Sequence, residues 1–303
     1  MKILFFGTPD IAAKILAVLS QIPQIKIMGV VTQPDKKTGR KQILSPPPVK
    51  EIANQLAHKV YQPKTKAELK KLAENFKDAD FFLVIAYGNI LPKEVLETPK
   101  HGCINLHASL LPKYRGASPI QETLLNGDKE TGITIMKMDR KMDEGDIYLI
   151  RRIEIKENDN LESLTNTMAS LGANILPLCL NDIAEGNLSA IPQDHSRATY
   201  CRKVEKKDGE IQFERQEAIQ IMNMQRAYTP WPSVFFRIKG KTIRILEMEE
   251  SQEKLKPGEF KTDKARLEVG TKKGSLNLKT LQMEGKKPAE IKEFLNGYKN
   301  LFE

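Results

Sequence analysis

Residues 80–88, DFFLVIAYG, constrain the fold of this chain more than any other stretch. The six residues from 81 to 86 are all apolar. A strand that is apolar on both faces is typical of a central position in a parallel sheet, because crossover helices then cover both faces. The run is far shorter than the roughly 18 apolar residues of a membrane-spanning helix. We therefore predict an α/β sheet with this strand near its centre.

The segments around this strand alternate between strand-like and helix-like patterns. Short apolar segments at 2–6 and 25–32 predict strands, and residues 11–19 between them have apolar side chains at helical spacing. Such alternation predicts parallel strands joined by right-handed crossovers. We expect residues 1–186 to form one domain, with a Rossmann-like, mostly parallel sheet and helices on both faces. The motif G-x-G-x-x-G is absent, which argues against a dinucleotide site.

The last third of the chain has a different pattern and charge. Residues 187–208 have no helical period and predict a linker. Residues 209–303 contain short alternating segments separated by turn residues, which predict a small OB-like β-barrel domain. Residues 195–303 hold 23 Lys or Arg and 16 Asp or Glu, so they carry +7 of the net charge of +9. A basic domain of this kind favours a nucleic-acid partner.

The three cysteines are Cys103, Cys179 and Cys201, which are widely spaced and form no C-x-x-C. This spacing predicts neither a zinc site nor a disulfide framework, so we expect no bound metal. The N-terminal residues begin with a strand-like segment rather than a signal peptide. We expect a cytoplasmic protein that does not enter a membrane.

An amide and an imidazole lie two positions apart at the end of a predicted strand, within residues 102–119. Side chains at i and i+2 emerge from the same face of a strand, so Asn105 and His107 project together. Polar groups at a strand end are where open α/β sheets place their chemistry, although an isolated pair can simply cap the strand. A nucleophilic Ser109 or Cys103 is less favoured, because the serine has no G-x-S-x-G elbow and the cysteine has apolar neighbours.

A loop rich in acidic residues follows the predicted strand 131–139. The pattern leaves four candidate carboxylates open: Asp139, Asp143, Glu144 and Asp146. An amide, an imidazole and a carboxylate together suit acyl-type transfer to an amine. The attacking amine creates a tetrahedral centre with a negative oxygen, to which the amide and a protonated imidazole can donate. The carboxylate can pair with the imidazole and help to move a proton from the amine.

Motifs along essentially the whole chain resemble those of one enzyme family. They are FFGTPD (5–10), VTQPD (31–35), SPPPVK (45–50), VIAYGNILP (84–92), GCINLHASLLPKYRGASPIQ (102–121), TGITIMKMDRKMDEGDI (131–147), RAYTPWP (226–232) and GKKPAEIKEFLNG (285–297). The N-x-H, SLLP and acidic-loop set is typical of folate-dependent formyltransferases. The VTQPD and SPPPVK segments and the PWP-containing second domain resemble the methionyl-tRNA formyltransferases among them.

The resemblance implies an activity, a donor and an acceptor. We expect formyl transfer from 10-formyltetrahydrofolate, without a metal, to the α-amine of initiator methionyl-tRNA, for translation initiation by a monomer. It assigns catalysis to Asn105, His107 and Asp143. It assigns folate contacts to Ser109, Leu110, Leu111, Pro112, Tyr87 and Gly88. It assigns tRNA contacts to Arg40 and Lys41, with the basic second domain supporting the tRNA.

Three other functions are compatible with parts of the pattern. The first is another 10-formyltetrahydrofolate-dependent formyltransferase that acts on a small amine, such as a sugar nucleotide or a purine precursor. The second is a related hydrolase that releases formate without an acceptor. The third is a basic RNA-binding module with an inactive α/β domain, against which the intact triplet argues.

Overall fold

The computed structural model describes residues 1–38, 42–263 and 265–303. Within these ranges the strands are β1 Lys2–Gly7, β2 Lys26–Val31, β3 Lys36–Thr38, β4 Ile43–Ser45, β5 Val60–Tyr61, β6 Phe81–Ile85, β7 Cys103–His107, β8 Arg115–Gly116, β9 Glu130–Lys137, β10 Ile147–Glu154, β11 Tyr200–Cys201, β12 Val234–Ile238, β13 Lys241–Ser251, β14 Phe260–Thr262, β15 Leu267–Gly270, β16 Ser275–Met283 and β17 Ala289–Glu290. The helices are α1 Asp10–Leu19, α2 Pro48–Gln55, α3 Lys66–Glu74, α4 Lys93–Leu96, α5 Pro119–Leu125, α6 Leu161–Ala184, α7 Ala218–Tyr228 and α8 Ile291–Tyr298.

Seven strands form the central sheet, in the order β10-β9-β7-β6-β1-β2-β5. The five strands from β7 to β5 in this order pair in parallel. Strands β9 and β10 pair antiparallel and complete the other side. The predicted central strand is confirmed as β6, which is buried along its whole length and lies between β1 and β7. The mostly parallel α/β class is therefore confirmed.

Helices cover both faces of this sheet. On one face Leu4 and Phe82 belong to a buried cluster that includes side chains of α3 and α4. On the other face α6 crosses the sheet closely at Gly172, where a Cβ would lie 2.5 Å from Leu106 Cδ1 and 3.4 Å from Ile15 Cδ1. Leu106 lies on β7, so α6 packs against the strand that carries Asn105 and His107.

Helix α6 is 24 residues long, which is long enough to raise the question of a membrane span. Its buried residues recur every three or four positions, as expected for a helix that packs one side on a sheet. In the described part of the chain, no helix combines the length and the apolar character needed to cross a bilayer.

The chain divides into two compact units. The first comprises residues 1–119, 130–155 and 162–202, and the second comprises 120–129, 156–161 and 203–303. Residues 187–202, which are part of the predicted linker 187–208, cluster with the first unit. Hydrogen bonds rather than helical packing hold them there, since β11 pairs in parallel with β8 and Ile191 bridges to Ile147.

The second unit is built on an antiparallel sheet with the strand order β12-β13-β16-β15-β14, and β17 pairs with β16. Five phenylalanine rings, from two strands, the turn before α7, α8 and the chain end, pack together at centroid separations of 5.2 to 6.4 Å: Phe213, Phe236, Phe260, Phe294 and Phe302. The prediction of an α/β domain followed by a β domain is confirmed.

Candidate active site

Asn105 and His107 lie at the carboxyl end of β7 and project from the same face, as period-2 alternation requires. Their exposed fractions are 8% and 6%. The Asn105 side-chain amide makes no hydrogen bond to any residue in the described ranges. A nearly buried amide with unused donors costs free energy unless a ligand or water satisfies it. This amide is therefore a candidate donor to a substrate.

The two ring nitrogens of His107 have different partners. Nε2 lies 2.9 Å from the carbonyl oxygen of Tyr114. A carbonyl oxygen can only accept, so Nε2 carries a proton and donates it. Nδ1 lies 3.7 Å from Oδ2 of Asp143. The ring is therefore fixed by its Nε2 side, and its Nδ1 side faces the carboxylate.

Among the four carboxylates that the sequence left open, Asp143 lies beside His107. It follows β9 in the loop 138–146 and has a φ of 55°, the left-handed region that Asp tolerates better than most residues. Its Oδ2 also accepts a 2.8 Å hydrogen bond from the main-chain N–H of Gly116. By contrast, Asp139 accepts from the next N–H in its own turn. Glu144 lies 3.8 Å from Arg115.

The SLLP loop, residues 109–112, follows β7 and is hydrogen-bonded to Thr134 of β9. Thr134 Oγ1 donates to the Ser109 carbonyl at 2.7 Å and accepts from the Leu111 N–H at 3.1 Å. The Ser109 hydroxyl donates to the carbonyl four residues later, at 2.5 Å, and Leu111 is also buried. Leu110 and Pro112 are partly exposed. The loop therefore presents Leu110 and Pro112 outward, while Ser109 and Leu111 hold its shape.

Tyr87 and Gly88 follow β6 at the same edge of the sheet. The Tyr87 ring is 2% exposed and packs edge-on against Phe6, and burial raises the pKa of its hydroxyl. Its carbonyl accepts from Thr8 Oγ1 at 2.9 Å and from Gln33 Nε2 at 3.0 Å. A ligand contact predicted for Tyr87 would therefore come from its main chain. Gly88 has a φ of 81°, which favours glycine.

The predicted tRNA contacts Arg40 and Lys41 lie outside the described residues. Strands β3 and β4, which come before and after them in the sequence, form an antiparallel pair. At its base the Lys50 Nζ lies 2.8 Å from both Asp35 carboxylate oxygens, and the Gln62 amide donates to Asp35 at 2.7 Å. These contacts lower the pKa of the Asp35 carboxyl, the Lys50 hydrogen bond most.

No cluster of three or more His, Cys, Asp or Glu side chains that could hold a metal ion occurs in the part of the chain that the structure describes. Cys103 is 1% exposed, and its thiol lies 3.6 Å from the carbonyl oxygens of Val95 and Leu96. Burial raises the pKa of the Cys103 thiol. A buried thiol with a raised pKa is a poor nucleophile, which agrees with the low weight given to cysteine chemistry.

Sequence reasoning missed two residues that contact the Asp143 loop. Gln193, in the segment predicted to be a linker, donates to the main-chain carbonyl of Asp143 at 2.9 Å. Arg115 is 1% exposed and donates to Gln193. The sequence could have indicated Arg115, because it lies in the same motif as His107 and is therefore close to the site. A lone glutamine in an aperiodic segment carries no such indication.

Comparisons with known proteins find matches to both parts of the chain. A family model described as formyl transferase matches residues 1–180, and a second, described as formyl transferase, C-terminal domain, matches residues 203–299. Methionyl-tRNA formyltransferase from Caldicellulosiruptor saccharolyticus is 45% identical over 99% of this chain and 97% of its own. Methionyl-tRNA formyltransferase from Listeria monocytogenes serotype 4a is 40% identical over 98% of this chain and 95% of its own.

Two solved structures share the fold at low sequence identity. Methionyl-tRNA formyltransferase from Clostridium thermocellum has a TM-score of 0.58 and 17% identity, over 84% of this chain and 95% of that chain. HypX from Aquifex aeolicus in complex with tetrahydrofolic acid has a TM-score of 0.65 and 15% identity, over 98% of this chain and 47% of that chain. At these identities the structural matches support the fold, and the family assignment comes from the sequence matches.

Proposed function

The chain belongs to the formyl transferase family, and we propose that it transfers the formyl group of 10-formyltetrahydrofolate to the α-amine of initiator methionyl-tRNA. It is a formyl-transferring enzyme, and its full-length relatives at 39–45% identity are methionyl-tRNA formyltransferases. The observation that carries the proposal is the convergence of an unpartnered amide, an imidazole and a carboxylate at one strand end. We further propose that it acts as a cytoplasmic monomer in translation initiation.

The Asn105 amide is the group best placed to stabilise developing negative charge. It is nearly buried and has no partner in the described ranges, so its N–H groups need no rearrangement before they donate to a formyl oxygen. Preorganised donors of this kind stabilise an oxyanion because the surrounding protein excludes water. The N–H of a protonated His107 Nδ1 would be the second donor.

His107 and Asp143 account for the proton that the acceptor amine must lose. Since Nε2 donates to the Tyr114 carbonyl, Nδ1 is the nitrogen that can take up or release a proton during the reaction. The Asp143 carboxylate lies 3.7 Å from Nδ1, on the same side of the ring, and can receive the proton that the amine loses. The proton that the amine loses then passes from Asp143 to N10 of tetrahydrofolate, which leaves when the tetrahedral centre collapses, while the protonated Nδ1 donates to the oxyanion.

The loop after β7 fits a folate-type donor. Leu110 and Pro112 are partly exposed apolar residues in the loop that directly follows the strand of Asn105, and the main chain at Tyr87 and Gly88 follows the adjacent strand β6. We assign these loop residues and the main chain at Tyr87 and Gly88 to binding of 10-formyltetrahydrofolate. The formyl group of this donor supplies the carbon that is transferred. For the tRNA we assign Arg40, Lys41 and the basic second domain, because residues 195–303 carry a net charge of +7, which suits a polyanion.

The test is a formyl-transfer assay with the full-length chain, 10-formyltetrahydrofolate and charged initiator methionyl-tRNA. We expect formylmethionyl-tRNA to form, and we expect His107→Ala to lower kcat at least about 100-fold, as loss of a donor and proton carrier requires. An amino-sugar nucleotide supplied as a competing acceptor should not be formylated. Comparable kcat/KM on the small amine, or near wild-type turnover by His107→Ala, would refute the proposal.

A further inference from the structure

The loop that carries Asp143 is held by a buried network outside the catalytic triplet. We propose that Gln193 and Arg115 are positioning residues for Asp143, which fix the carboxylate beside His107 and touch neither substrate. This inference rests on the proposed function, since its assay is formyl transfer. Neither residue was assigned a role by the sequence pattern.

Asp143 needs such support because its backbone is unusual. A φ of 55° is uncommon for a residue with a side chain, and the conformation persists only where neighbouring groups determine it. The Gly116 N–H holds the carboxylate at 2.8 Å. The Gln193 amide holds the other side of the residue, through the main-chain carbonyl at 2.9 Å. Asp143 is therefore fixed both at its side chain and at its main chain.

Gln193 uses every hydrogen-bonding group of its amide in this network. Its Nε2 donates to the carbonyls of Asp143 and Gly145 at 2.9 and 2.7 Å. Its Oε1 accepts from Arg115 Nη2 and Nε at 2.7 and 3.2 Å. The residue is 6% exposed, so these bonds face little competition from water. One side chain thus connects the Asp143 loop to β8.

Burial of the charged Arg115 side chain costs free energy unless other groups pair with it, and Arg115 has several such partners. Its guanidinium is 1% exposed, lies 3.8 Å from Glu144 Oε1 and donates to His195 Nδ1 at 3.0 Å. The residue before it, Tyr114, accepts from His107, and the residue after it, Gly116, donates to Asp143. A displacement of Arg115 would therefore move the two main-chain groups that orient the imidazole and the carboxylate.

The experiment is a double-mutant cycle between Gln193 and Asp143 in the full-length chain. Gln193→Glu keeps an acceptor for Arg115 but turns a carboxylate oxygen toward the two carbonyls, and Gln193→Met removes all the hydrogen bonds without adding charge. We expect each to lower kcat about 10- to 100-fold, the usual effect of losing a residue that orients a reacting group, with KM for donor and tRNA within about twofold of wild type. In an Asp143→Asn background the same changes should lower kcat by less than about twofold.

The matched control is Gln225→Met in the second unit, where a glutamine amide also donates to a main-chain carbonyl, that of Leu246, at 2.6 Å. It should leave kcat unchanged. Equal losses for the Gln193 changes in both backgrounds would overturn the positioning role, as would a rise in KM with kcat unchanged or loss of cooperative unfolding in both variants. A wild-type chain that forms no formylmethionyl-tRNA would instead contradict the proposed function, so the two failures are distinguishable.

Discussion

Gly116→Ala tests whether the main chain of β8 sets the position of the Asp143 carboxylate, for which we propose a catalytic role. Gly116 has a φ of 124°, and a Cβ there would lie 2.0 Å from the carbonyl oxygen of Cys201. No side-chain adjustment relieves a clash with a main-chain oxygen, so β8 must separate from β11. The Gly116 N–H would then leave the Asp143 carboxylate, which it now meets at 2.8 Å.

The expected size of the effect follows from that lost bond. A hydrogen bond to a charged group is worth about 1.5–3 kcal/mol, and roughly 1.4 kcal/mol corresponds to tenfold in rate. If the bond is needed to hold Asp143 in the reacting geometry, kcat should fall about 10- to 100-fold. The strained backbone should also lower the free energy of unfolding by about 1–3 kcal/mol. Steady-state formyl transfer at saturating donor and tRNA, together with urea unfolding, measures both quantities.

Gly186→Ala is the matched control, because Gly186 has a φ of 77° and no atom lies within 4 Å of a Cβ built there. It should carry the cost of a left-handed alanine without displacing a strand, so it should lose stability and keep wild-type kcat. If Gly116→Ala retained wild-type kcat, or if both variants lost kcat equally, the link from β8 to Asp143 would be refuted.

Three further changes test other parts of the site. Asn105→Ala should lower kcat about 100- to 1,000-fold while the melting temperature hardly changes, because the amide has no partner in the described ranges; a small kcat effect would exclude it as an oxyanion donor. Cys103→Ser should keep wild-type kcat, whereas a thiol nucleophile would be abolished; its buried thiol should also resist a thiol reagent until the protein is unfolded. Asp35→Asn should lower the melting temperature at neutral pH. The native pKa of Asp35 lies below its ordinary value of 3.8, so its stabilisation is complete above about pH 3.8 and disappears as pH falls through the lower native pKa. The melting-temperature difference from wild type should therefore shrink below that pH, and a difference that widened there would contradict the assignment.

The sheet was predictable because its central strand is apolar on both faces. Residues 81–86 leave few alternatives to a buried parallel strand, and β6 occupies that position. Period 2 likewise predicted that Asn105 and His107 share a face. The pairing of β3 with β4 was not predictable in the same way, since strands of only three residues are too short to show apolar alternation in the sequence.

The segment 187–202 shows why the rest of the site could not be predicted. Its attachment to the first unit depends on individual hydrogen bonds, such as Gln193 to the Asp143 carbonyl and the Arg115 N–H to the Thr199 carbonyl at 2.8 Å. Such bonds need no periodic pattern and can form at any aperiodic position. The sequence pattern also could not show which of the four acidic residues lies beside His107. That depends on the conformation of the loop after β9, where Asp143 has a φ of 55°.

The geometry around His107 assigns different roles to its two nitrogens. The Tyr114 carbonyl can only accept, so the Nε2 proton is committed to that bond in both charge states of the ring. Nδ1 is then the nitrogen that exchanges a proton, and it faces Asp143 at 3.7 Å, beyond hydrogen-bond distance. Gly116 holds the Asp143 carboxylate at 2.8 Å and Gln193 holds its main-chain carbonyl at 2.9 Å, so the distance between Asp143 and His107 depends on residues outside the three proposed for catalysis.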